Sequence, residues 1–122
     1  MEYQYTAIPE AAVPRAAHPV FQHLLDTYAS ETSKVISVWR GFGAEDMNFK
    51  PAERSSSVLD IMKHQLLSER RFFAEFIGLG GEPEPAALLP QELTPEAFCR
   101  RDEELCKARL ERMAGRDQPW WM

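Results

Sequence analysis

Two side chains able to do chemistry share the segment Ser57-Val-Leu-Asp-Ile-Met-Lys-His64-Gln-Leu-Leu-Ser-Glu69-Arg-Arg-Phe-Phe, the imidazole of His64 and the carboxylate of Glu69. An imidazole is a common metal ligand and the side chain whose charge changes nearest neutral pH. On a wheel of about 100° per residue, the apolar arc of this helical segment centres near Met62, Glu69 and Phe73, and His64 falls to one side with Ser57, Ser68 and Arg71. His64 is therefore either a solvated surface ring or a ligand on the wall of a site. Glu69 projects from within the apolar arc, where an uncompensated charge is costly, so it needs a partner such as an arginine, a histidine or a helix end. The functional alternative is that it lines a pocket and orients a ligand or water near His64.

The other reactive side chains are less well placed. His18 and His23 are five positions apart, which on a helix separates them by about 140° and prevents joint chelation of one ion. Cys99 and Cys106 are seven apart in one helical stretch, with α-carbons roughly 10 Å apart, too far for a disulfide. They read as thiols that serve as small apolar side chains, without the CxxC spacing of a metal or redox site. There is no Gly-rich phosphate loop, nucleophile elbow or His-Glu-x-x-His motif.

The elements that must position these groups are helices. Residues 1–17, with Pro9 and Pro14, show no period and read as an extended N-terminal arm that packs across the helices. Pro19 opens a first helix that runs to Gly41, with Phe21, Leu24, Leu25, Tyr28, Thr32, Val35, Ile36 and Trp39 as its core stripe. A turn-rich connection follows, anchored by Phe42, Met47 and Phe49 and containing Pro51. Ser56 or Ser57 caps a second helix that runs to about Ile77 and stops at Gly78. Its apolar positions, among them Ile61, Phe72 and Phe76, spread over a wide arc, as suits a helix with two neighbours. A loop with three Gly and three Pro spans 78–93, and Thr94-Pro95-Glu96 starts a third helix that ends at Gly115, with Phe98, Leu105, Leu110 and Met113 on its apolar side. No strand-like alternation or repeat is visible. The expected fold is all-α, an antiparallel up-down helical bundle with three long helices in one domain spanning 1–122.

Composition narrows the partners. The chain has 122 residues, 44% apolar and 27% charged, which is enough for one core and far from the composition of a disordered chain. A net charge of −5, with basic residues scattered along the helices, argues against nucleic acid. No apolar run approaches the roughly 20 residues of a membrane span, and Met1-Glu-Tyr-Gln-Tyr lacks the basic start of a signal peptide, so no membrane partner and a cytoplasmic location are expected.

The run Glu45-Asp46-Met47-Asn48-Phe49-Lys50-Pro51-Ala52, followed by Ser57, His64, Glu69 and Phe72-Phe73, resembles the loop and second helix of the DinB-like family. The similarity covers most of the chain and implies a four-helix bundle, commonly a homodimer. It also implies a divalent metal, zinc or nickel, bound by a second-helix histidine and two histidines four apart on the last helix. In this chain the carry-over reaches His64 alone. Three ligands and an open position would make a Lewis-acid site able to activate a thiol or water. Some relatives are transferases or isomerases that use a low-molecular-weight thiol.

The segment that would carry the remaining histidines is missing, and Pro119-Trp-Trp-Met122 stands where more chain would be needed. The arm and tail cover the open side of the bundle, or a second copy does, or the sequence is a C-terminally truncated piece. Two functions follow as expectations: a metal-dependent thiol-transferase-like protein whose own activity is in doubt for want of the second His-bearing helix, or a non-catalytic helical dimerisation module.

Overall fold

A computed structural model describes residues 5–116 and 118–121; residues 1–4 of the expected arm, position 117 and Met122 of the terminal segment lie outside them. Every regular element among the described residues is helical, and three are long. They are α1 (Pro19–Trp39), α2 (Val58–Arg71), α3 (Pro85–Leu88), α4 (Pro95–Ala114) and α5 (Gln118–Trp121). Short 3-10 turns occupy Glu10–Ala12 and Ala44–Asp46, and a π turn occupies Phe72–Phe76. No helix among the described residues is long and apolar enough to cross a membrane. The chain divides into two compact units, Met1–Trp39 with Asp102–Met122, and Arg40–Arg101.

In the first unit α1 buries Phe21, Leu25, Ala29, Thr32, Ser33, Ile36 and Trp39, at the three- and four-residue steps of one face. Leu24, expected in that stripe, is 49% exposed, while the small Ala29 and Ser33 are buried. Small side chains leave room for the arm: the Ile8 amide donates to Ser33 Oγ at 3.1 Å, and the Ser37 hydroxyl donates to the Tyr5 carbonyl. The Gln22 side chain holds the next part of the arm, accepting from the Ala16 amide at 2.7 Å and donating to the Pro14 carbonyl at 3.2 Å. The residues of α4 in this unit bury Leu105, Cys106, Leu110 and Met113, and with them the charged Asp102 and Arg109. Arg109 Nη1 donates to the Tyr28 hydroxyl at 3.2 Å. Trp121 stacks on Phe21, with ring centroids 4.9 Å apart and planes within 7°.

In the second unit α2 buries Val58, Met62 and Leu66, and Phe73 continues that face. The sequence reading carried this helix to Ile77 in one α-helical phase. The structure instead changes phase after Arg71, and the Ile77 amide bonds to the Phe72 carbonyl five residues back. A π turn inserts an extra residue into the helical register. Phe73 stays on the buried face of Met62 and Leu66, while Phe72 and Phe76 are 50% and 72% exposed. The helix stops where expected, at Gly78, whose φ of 68° suits a residue without a Cβ. The Gly- and Pro-rich connection contains the short α3, which packs against α2 and buries Leu88 completely. Arg70 Nε donates to the Pro83 carbonyl at 2.6 Å and Arg101 Nη1 to the Ala87 carbonyl at 3.1 Å, pinning the middle of that connection. Thr94 caps α4 by accepting from the Ala97 amide at 3.2 Å.

Candidate functional site

The loop that carries the recognisable run of residues is the cap of α2. A helix leaves its first four amides without internal partners. Here the Val58 amide donates to the Phe49 carbonyl at 3.1 Å and the Leu59 amide to the Met47 carbonyl at 2.8 Å. The Asp60 amide donates to Ser57 Oγ at 3.1 Å, and the Ile61 amide to the Ser57 carbonyl at 3.0 Å. The amides of Val58, Leu59 and Asp60 thus take partners from the loop and the cap, and the Ile61 bond is the first of the helix's own ladder. The loop is held in turn by Asp46, whose Oδ2 accepts from the Gly43 amide at 2.8 Å, and by Met47, which is only 4% exposed. The spacing from Asp46 to Ser57 thus encodes a helix start whose Val58, Leu59 and Asp60 amides are already engaged.

One turn beyond this cap stands His64, on the exposed face of α2. Its Nε2 is 3.1 Å from the hydroxyl of Ser68, one turn further on and also exposed. The same outer side carries Asp60 and Arg71, both exposed, with Ile61 (54% exposed), Phe72 and Phe76 along one edge. Arg71 Nε pairs with Glu75 at 3.1 Å, an exposed pair that contributes little to stability. Asp60 lies in the first turn of α2 and Arg71 in the last, so both signs match the helix dipole.

The remaining candidates are placed as follows. Glu69 is half-buried on α2, toward the packed side. His18 sits before α1, where its Nδ1 accepts from the Val20 amide at 3.1 Å and its ring meets Phe21, which is a capping role. His23 is exposed on α1. Cys99 and Cys106 are buried thiols outside any disulfide.

Among the described residues, no three His, Cys, Asp or Glu side chains gather closely enough to hold a metal ion. Catalytic zinc needs three protein ligands. The residues described around His64 supply one imidazole and a neighbouring hydroxyl, and that set does not fit such a site. No catalytic step through a metal is derived from it.

Two features escaped the sequence reading. Asp102 and Arg109 lie in phase with Phe98, Leu105 and Met113 on α4, a spacing that would have marked them as inward-facing. The first unit also has an open groove of about 430 Å³ beside the arm, with Ile8, Val13 and Ala29 as its apolar surface and Asp26, Ser30 and Lys34 among its polar lining. Its signal was the Ala29 and Ser33 pair, which a search for large apolar residues passes over.

Comparisons with models of known protein families, with curated proteins and with solved structures find no match to this chain.

Proposed function

We propose that this chain is a DinB-like helical protein, built on the antiparallel four-helix plan and resident in the cytoplasm, that works as a homodimeric association module through the outer face of α2. The observation that carries this reading is the exposure of Ile61, Phe72 and Phe76 along one edge of α2 and the π turn that follows it. Large apolar side chains grouped on one exposed surface mark interaction sites more often than scattered ones do. The π turn supports the reading, because it spans the stretch in which Phe72 and Phe76 are exposed while Phe73 stays in the core. Such turns recur at functional sites.

A second reading is favoured by the accessible imidazole of His64. In it, the protein handles a low-molecular-weight thiol with zinc or nickel, and His64 is one ligand among donors supplied from beyond the described set.

Metal content and particle mass, measured together on the purified chain and on His64→Ala, separate the two. A metal-free particle whose mass rises to that of a dimer with concentration, unchanged by His64→Ala, supports the module. About one tightly held zinc or nickel per chain, lost in His64→Ala, overturns it in favour of the thiol enzyme.

A further inference from the structure

We propose that the groove beside the arm binds a short linear zwitterion, a three-residue apolar peptide with free ends, with its ammonium at Asp26 and its carboxylate at Lys34. The site lies wholly in the first unit and is independent of the association through α2.

One wall of the groove is α1, where Asp26, Ala29, Ser30, Ser33 and Lys34 stand at i, i+3, i+4, i+7 and i+8, hence on one face. The arm is the other wall and runs antiparallel to the helix, with Pro14 bonded to Gln22, Ile8 to Ser33 and Tyr5 to Ser37. Glu10 and Val13 therefore lie toward the Asp26 end and Thr6 toward the Lys34 end. Between the two ends the buried side chains of Ile8, Val13 and Ala29 form an apolar strip.

The two ends differ in charge. Asp26 and Glu10 have no cation paired to them among the described residues, and Asp26 accepts from the neutral Gln22 side chain at 3.1 Å. At the far end Lys34 Nζ holds Glu31 at 3.1 Å, an exposed pair that leaves two ammonium hydrogens for a second acceptor. Ser33 adds a donor there. It is only 7% exposed, its oxygen accepts from the Ile8 amide, and no acceptor among the described residues takes its hydroxyl hydrogen. A buried hydroxyl with an unused hydrogen calls for an acceptor in the groove. The groove is thus ordered for a cation at one end, an anion at the other and apolar side chains between.

Length selects the ligand. Eight residues separate Asp26 from Lys34, about 12 Å along the helix axis. An extended tripeptide spans about 10–11 Å, and the lysine stem covers the remainder, whereas a dipeptide at about 7 Å falls short. A volume of about 430 Å³ is in the range of small-ligand pockets.

Nuclear magnetic resonance titration of the full chain with the peptide Ala-Val-Ala tests this, following the amide signals of Ile8, Ala29 and Ser33. The expected result is a saturable shift of all three. The N-acetylated peptide, the C-amidated peptide and the dipeptide Ala-Ala should each bind at least fivefold more weakly. Asp26→Asn should weaken the free peptide at least fivefold and the N-acetylated one less than twofold, and Lys34→Gln should do the same for the free and amidated forms. Both substitutions are at exposed positions, and circular dichroism checks the helicity of each variant. If either variant unfolds, the capped peptides on the unaltered chain still decide. Capped peptides that bind as tightly as the free one, the absence of a saturable shift at these amides, or substitutions that weaken capped and free forms alike overturn the inference. A chain that stays monomeric yet shows this pattern removes the association reading and leaves the groove site standing.

Discussion

The Nε2 atom of His64 lies 3.1 Å from the hydroxyl oxygen of Ser68, one helical turn away on the exposed side of α2. This contact sets which ring nitrogen is engaged within the chain and which faces outward. Ser68→Ala is expected to change the tautomer balance of His64, read from the imidazole nitrogen shifts by NMR. Folding stability should stay within about 0.5 kcal/mol, as for an exposed polar substitution. Unchanged nitrogen shifts would show that the contact does not persist in solution.

Ser57 accepts the Asp60 amide through its side chain and the Ile61 amide through its carbonyl. Ser57→Ala removes only the first of these bonds, so thermal or denaturant unfolding should show a loss of about 1 kcal/mol, the usual effect of losing such a cap. The Leu59 amide, bound to the Met47 carbonyl at 2.8 Å, should remain protected from hydrogen exchange in the variant. Loss of that protection would mean that Ser57 holds the loop as well as the helix.

Much of the fold could be read because it rests on strong local signals. Proline at the first turn of α1 and α4, Ser57 and Thr94 as caps, and Gly78 as a terminator each act within one turn of chain, and the long helices begin and end within a few residues of those marks. The phase change after Arg71 could not be read, because a π turn is imposed by packing and leaves no period of its own. Val58, Met62 and Leu66 fit the apolar arc drawn from sequence, whereas Ile61, Phe72 and Phe76 are chemically alike but lie outside it once the helix is placed. At the candidate site, the exposure of His64 agreed with its wheel position. Its pairing with Ser68 and the ends marked by Asp60 and Arg71 required the coordinates.

The π turn carries two phenylalanines in sharply different surroundings. Phe73 is 3% exposed and Phe76 is 72% exposed. Phe73→Ala should cost about 3–5 kcal/mol, as for a fully packed aromatic ring, and Phe76→Ser less than about 0.5 kcal/mol, both measured by denaturant unfolding. Equal losses at the two positions would mean that α2 runs on without the phase change.

The arm is fastened to α1 by a buried bond from the Ile8 amide to Ser33 Oγ. Ser33→Ala leaves a buried donor without its acceptor, which costs about 1–3 kcal/mol. Hydrogen exchange at Ile8 should accelerate accordingly, while exchange at Leu25 in the middle of α1 changes only as far as global stability does. An Ile8 amide that exchanges freely in the unaltered chain would contradict this docking.

The central claim is that the exposed apolar edge of α2 is where this protein meets its own second copy. The most direct measurement is the particle mass of the full chain across a concentration series, beside the double variant Ile61→Ser/Phe72→Ser. The account predicts a dimer that forms as concentration rises, and a variant that keeps its helicity yet stays monomeric over the same range. A chain that is monomeric throughout, or a dimer equally tight in the variant, would contradict it.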